Sequence, residues 1–133
     1  MTAQDGEPLR GVRVLVVDDD VDNREMAAIT LEHCGARVTT AGSVAEALLA
    51  VEKERPDVLI SDIGLPDEDG YSLLRKIRAL PGSRGASLPA IALTGRGRDE
   101  DREQRARVDG FQEHLTKPVT VDGMLAAIAR VTG

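Results

Sequence analysis

Short apolar runs alternate with amphipathic segments along this whole 133-residue chain, and that alternation limits the fold more than any other feature. Residues 12–17 (VRVLVV) are β-branched with a single polar position, the pattern of a strand buried on both faces. Residues 22–34 have helical length and composition, and Gly35 is placed to end that helix. Residues 36–41 read as a weaker, edge-like strand. Ser43 and Glu46 have capping-box spacing, and Val44, Ala47, Leu48 and Val51 follow at i, i+3, i+4, i+7. Pro56 closes that helix, and residues 58–61 form a third strand. After the loop GLPDEDG comes a helix carrying Leu73, Leu74, Ile77 and Leu80. Residues 88–94 and 111–115 supply the fourth and fifth strands, and Val121, Met124, Leu125 and Ile128 mark the last helix. Strands alternating with helical segments predict a parallel sheet covered on both faces, joined by right-handed crossovers.

One segment departs from the pattern. Residues 95–110 (GRGRDEDREQRARVDG) offer only Ala106 and Val108 as core anchors, so a helix there is expected to be the least secure element of the fold.

The chain has the size of one domain, with residues 1–10 expected as a polar tail or linker and 11–133 as the domain. Tyr71 and Phe111 are the only aromatics, so aliphatic side chains must do the packing. Seventeen Lys and Arg against 23 Asp and Glu give a net charge of −6. The one basic stretch, 96–107, is broken by Asp99, Glu100, Asp101 and Glu103, so nucleic acid is not an expected partner. No apolar run approaches the ~20 residues of a membrane span, and the N-terminus lacks a signal-peptide core, so a cytoplasmic location is expected. Lone Cys34 reads as a small, buried hydrophobe.

In a parallel α/β sheet, ligands gather beyond the carboxyl ends of the strands. The unusual polar residues fall there: Asp18, Asp19 and Asp20 after strand 1, Asp62 after strand 3, Thr94 after strand 4, Lys117 after strand 5. Strands 1 and 3 should be neighbours, which brings Asp18, Asp19 and Asp62 together. Clustered carboxylates repel, and a hard cation such as Mg²⁺, which takes oxygen ligands, resolves that conflict. The same cation, with Lys117 and the Thr94 hydroxyl, suits a phosphoryl group on a carboxylate. Taken singly each residue has an ordinary reading: a solvated turn, a helix cap, a surface lysine. All of them standing at the correct strand ends is what gives the pattern its weight.

The motifs VLVVDDD, VLISDIGLPDEDG, IALTG and HLTKPV, in this order, resemble the receiver domain of bacterial two-component response regulators. The resemblance implies an α/β, flavodoxin-like (βα)5 three-layer sandwich with a five-stranded parallel sheet in the order 2-1-3-4-5. It implies that Asp62 accepts a phosphoryl group from a histidine kinase or phosphotransfer protein. Asp19, Asp62 and the Gly64 carbonyl would bind Mg²⁺ directly, with Asp18 holding it through water. Thr94 and Lys117 would contact the phosphoryl group. No catalytic turnover beyond the domain's own phosphorylation and dephosphorylation is implied, and a monomer or weak phosphorylation-dependent dimer is expected. His114 stands where the family usually has Tyr or Phe, and it reads either as a switching ring or as a passive strand-edge residue. Gly95 and Gly97 give the loop after Thr94 unusual backbone freedom. Two other classes compete: a small aspartyl-phosphate phosphatase, which would want a second acid where this chain has Gly64, and a docking module without phosphorylation.

Overall fold

The computed structural model describes residues 7–65, 70–81, 85, 87–94, 110–117 and 119–132. The loop acids Asp67, Glu68 and Asp69, the loop of Gly95 and Gly97, and all but Gly110 of the weakly anchored segment 95–110 lie outside the described residues.

Leu15 and Val17 point to one side of strand β1 (Arg13–Val17), while Val14 and Val16 point to the other. Both sets are buried, so apolar layers must cover both faces. On one side Leu15 and Val17 meet helices α2 (Val44–Glu54) and α3 (Gly70–Arg78), through Val44, Ala47, Val51, Leu73, Leu74 and Ile77. On the other, Val14 and Val16 meet helices α1 (Val21–His33) and α4 (Val121–Thr132), through Leu31, Met124, Ala127 and Ile128. Strands β2 (Arg37–Ala41), β3 (Val58–Asp62), β4 (Ala90–Thr94) and β5 (Glu113–Thr116) complete a five-stranded parallel sheet in the order β2-β1-β3-β4-β5. The expected flavodoxin-like architecture and strand order are therefore both present. Tyr71 and Phe111 meet edge to face, ring centroids 6.4 Å apart.

Local chemistry sets the element ends. Ser43 Oγ accepts from the Glu46 amide at 3.2 Å, while Glu46 returns a carboxylate oxygen to the amide of Gly42 at 2.7 Å. Gly35, with φ +96°, turns the chain out of α1. Strand β4 starts at Ala90 rather than at Leu88, because Pro89 has no N–H and the Ala90 amide is taken by the Gln112 side chain at 3.0 Å. The fifth strand is correspondingly displaced, beginning at Glu113 rather than Phe111, whose ring joins the core. Strand β3 runs one residue past the expected Ser61, so that Asp62 pairs in register with Leu93.

Within the stretch read as a polar tail, residues 7–10 form a turn against the domain. Leu9 is buried, and its amide donates to the Cys34 carbonyl at 2.7 Å. Cys34 itself is half-buried and packs beside that cluster. Helix α1 is unusual in burying only Leu31 fully, with Val21, Met26 and Ile29 exposed. No helix among the described residues is long and apolar enough to cross a membrane.

Candidate functional site

The strand order reverses at β1, with β2 on one side and β3 on the other, so the connections leaving β1 and β3 diverge and open a crevice. The carboxylates of Asp18, Asp19 and Asp62 meet there, their ligand atoms all within 4.8 Å of one another. Asp18 follows the last residue of β1 and is 3% exposed, while Asp19 faces solvent. The Asp18 amide donates to the Ala41 carbonyl at 3.1 Å, which carries the β1–β2 pairing one step beyond the strand. Its Oδ1 accepts from the Asp20 amide at 2.9 Å. Asp20 turns the other way and caps α1, accepting from the Asn23 amide at 3.1 Å.

Asp62 closes β3. Its Oδ1 accepts from the Gly64 amide at 3.1 Å, and its Oδ2 accepts from Lys117 Nζ at 2.9 Å. Lys117 also lies 3.6 Å from Asp18 Oδ2, so one ammonium serves two of the three carboxylates. It is held there by its own backbone, whose N–H donates to the Thr94 carbonyl at 2.9 Å. Thr94 is buried at the end of β4, and its hydroxyl donates to the Leu115 carbonyl at a long 3.4 Å. His114 precedes Leu115 on β5, half-buried and in register with Ala92.

Burial pushes the Asp18 carboxyl above its ordinary value, helped by the neighbouring Asp62 and Asp19 charges. The Asp20 amide and Lys117 oppose that rise and only partly cancel it. Burial alone would pull the Lys117 ammonium down, yet its hydrogen bond and charge pairing with Asp62, then with Asp18, leave it raised. Among the described residues Lys117 alone pairs with these carboxylates, one ammonium against three acids. An all-oxygen donor set with surplus negative charge suits a hard divalent cation.

Sequence reasoning placed Asp18, Asp19, Asp62, Lys117 and Thr94 in one neighbourhood, and the structure brings them together. It overlooked Arg24, whose Nη1 reaches the backbone carbonyls of Asp18 and Asp19 at 3.1 and 3.4 Å. Backbone carbonyls leave no signature in a sequence, so that contact had no motif to announce it. An apolar groove also runs from Asp18 and Lys117 between α1 and α4, walled by Met26, Ala27, Val121 and Met124.

The profile of the response regulator receiver domain matches residues 14–129. The chain belongs to that family. A phosphorylation-based switch in two-component signalling is the general function of receiver domains. An uncharacterised 14.6 kDa protein from the sodA1 3′ region of Leptolyngbya boryana is 46% identical over 113 residues, covering 85% of this chain and 84% of that one. The sensor histidine kinase RcsC of Salmonella typhi is 35% identical across 87% of this chain, which spans only 12% of the kinase. Among solved structures, the receiver domain of sensor histidine kinase PA1611 from Pseudomonas aeruginosa superposes with a TM-score of 0.82 at 32% identity, covering 92% of this chain and 98% of that one. That structure carries a magnesium ion coordinated in its active-site cleft.

Proposed function

We propose that this receiver domain accepts a phosphoryl group on Asp62 from the phosphohistidine of a histidine kinase or phosphotransfer protein. The observation that carries this reading is the pairing of Asp62 with Lys117 at 2.9 Å inside a cluster of three carboxylates. We assign Mg²⁺ to Asp19, Asp62 and the Gly64 carbonyl, with Asp18 holding it through water. When bound, that ion supplies charge neutralisation to the incoming phosphoryl oxygens.

In the transfer, the P–N bond to the donor imidazole breaks as a P–O bond forms to an Asp62 carboxylate oxygen, and the electron pair leaves with the imidazole nitrogen. Lys117 holds the acceptor before transfer and pairs with the phosphoryl oxygens after it. The Gly64 amide, donating to Asp62 Oδ1, fixes the carboxylate plane. The Thr94 hydroxyl gives up only a 3.4 Å contact to Leu115 when it turns toward the new dianion. Releasing the Leu115 carbonyl loosens β5 one residue beyond His114, and His114 then changes rotamer. Phosphorylation biases a two-state element in this way, as charge-driven switches do. The apolar groove beside Asp18 and Lys117 offers a protein donor a surface next to the acceptor. A phosphatase acting on free esters would want an acid in the place of Gly64, where this chain offers a backbone amide to Asp62.

Intact mass after incubation with acetyl phosphate and Mg²⁺ tests the proposal. Wild type gains one phosphoryl group and Asp62→Asn gains none. Equal labelling of both proteins would overturn it.

A further inference from the structure

We propose that Arg24 is a positioning residue for the acids of this site, acting through the backbone of Asp18 and Asp19 rather than through its charge. The inference rests on the assignment of those acids to Mg²⁺. One nitrogen, Nη1, reaches both carbonyls, at 3.1 Å for Asp18 and 3.4 Å for Asp19. The two carbonyls belong to consecutive residues. The shared donor therefore ties together the two peptides that flank Asp19, and with them the direction in which the Asp19 side chain leaves the chain. Asp18 is already held by the Ala41 carbonyl and the Asp20 amide, whereas Asp19 is exposed, so Asp19 depends most on the clamp.

The guanidinium is braced from behind. A Cβ added at Gly42 would stand 3.0 Å from the same Nη1 and 3.3 Å from Cζ, close enough to push the guanidinium a few tenths of an ångström from its place on the carbonyls. Gly42 is itself fixed by its 2.7 Å hydrogen bond to Glu46 on α2. The β2–α2 turn, Arg24 and the β1–α1 turn thus form one assembly. Arg24 is the movable member, since the far end of a long side chain yields more readily than backbone.

Charge and positioning predict opposite signs. A guanidinium beside a cation site repels the cation, so a pure charge role means that removing Arg24 tightens Mg²⁺ binding. A positioning role means that removing it weakens binding, and loss of groups that orient metal ligands weakens affinity by ~10-fold or more. The experiment titrates Mg²⁺ alone into the unphosphorylated domain by calorimetry, for wild type, Arg24→Ala, Arg24→Lys, Gly42→Ala and the double variant Gly42→Ala/Arg24→Ala. Urea unfolding of each in EDTA runs alongside. We expect Arg24→Ala to weaken Mg²⁺ ~10-fold or more, and Arg24→Lys to restore part of that loss through its one ammonium nitrogen. Gly42→Ala should weaken Mg²⁺ while leaving the unfolding midpoint nearly unchanged, and should have no effect once Arg24 is alanine. Unchanged or tighter binding by Arg24→Ala would overturn the inference, as would a Gly42→Ala effect that persists without Arg24. If Arg24→Ala does not fold, Gly42→Ala and Arg24→Lys still decide the matter, because both keep a cationic side chain in place. Wild type failing to bind Mg²⁺ would instead sink the metal assignment itself, and the role of Arg24 with it.

Discussion

Replacing Asp18 with asparagine should make the metal-free domain more stable. The carboxylate ligand atoms of Asp18, Asp19 and Asp62 lie within 4.8 Å of one another, and Lys117 stands 3.6 Å from Asp18. At an effective dielectric constant of about 20, each like-charge pair at 4.8 Å costs about 3.5 kcal/mol and the Lys117 contact returns about 4.6 kcal/mol. Two repulsions outweigh one attraction by about 2 kcal/mol, and solvent around exposed Asp19 trims that to about 1–2 kcal/mol. An asparagine keeps the Oδ1 acceptor for the Asp20 amide, and Lys117 keeps its contact with Asp62. Asp18→Asn is therefore expected to gain about 1–2 kcal/mol in EDTA at neutral pH, which for a domain of this size raises Tm by roughly 3–8 °C.

The sign of the pH dependence follows from the raised Asp18 carboxyl. The folded state binds the proton more tightly than the unfolded one, so wild-type stability falls as pH rises from the ordinary value of 3.8 through the folded one. The advantage of the variant should therefore shrink as pH is lowered toward 3.8 and disappear below it. Magnesium should narrow the gap: at tenfold excess over its Kd a ligand adds about 1.4 kcal/mol to the form that binds it, and wild type is expected to bind Mg²⁺ better than the variant. Thermal and urea unfolding across pH, with EDTA or Mg²⁺, measure all of this. A variant less stable than wild type in EDTA at neutral pH, or a gap indifferent to pH, would refute the reasoning.

Other outcomes follow from the same contacts. Lys117→Met leaves Asp18 and Asp62 without their cation and should lower stability in EDTA by about 1–3 kcal/mol, part of it recovered by Mg²⁺, as urea unfolding would show. Lys117 is raised in the folded state, so its contribution is complete below the ordinary value of 10.5 and fades as pH climbs through the raised one. Lys117→Met should lack that alkaline loss. Arg78 donates to the carbonyls of Gly85, Leu88 and Gly110, so Arg78→Met should cost about 2–4 kcal/mol in urea unfolding and leave Mg²⁺ affinity unchanged. Leu31, fully buried and alone in that on α1, should cost about 2–5 kcal/mol as alanine.

Much of the fold and the site is legible in the sequence, for physical reasons that differ from element to element. Strand β1 was legible because Val14 to Val17 are apolar on both faces, which only a doubly covered strand tolerates. The site followed because acids, threonine and lysine stand at the carboxyl ends of strands whose order the crossover rule restricts. Strand ends were less legible, since the start of β4 depends on the Gln112 side chain capturing the Ala90 amide, a contact 22 residues away in the chain. Val121 shares the spacing of the buried α4 residues, yet it is half-exposed in the first turn. Arg24 and Arg78 escaped because their partners are carbonyls, which every residue has. The burial of Leu9 escaped because one apolar residue in a polar stretch makes no period.

The most direct test of the account is the chemical location of the phosphoryl group. The domain is phosphorylated with acetyl phosphate and Mg²⁺, reduced with borohydride, which converts an aspartyl phosphate to homoserine, and mapped by peptide mass spectrometry. Homoserine at position 62 and nowhere else is the predicted result. Homoserine at Asp18 or Asp19, or labelling that survives in Asp62→Asn, would contradict it.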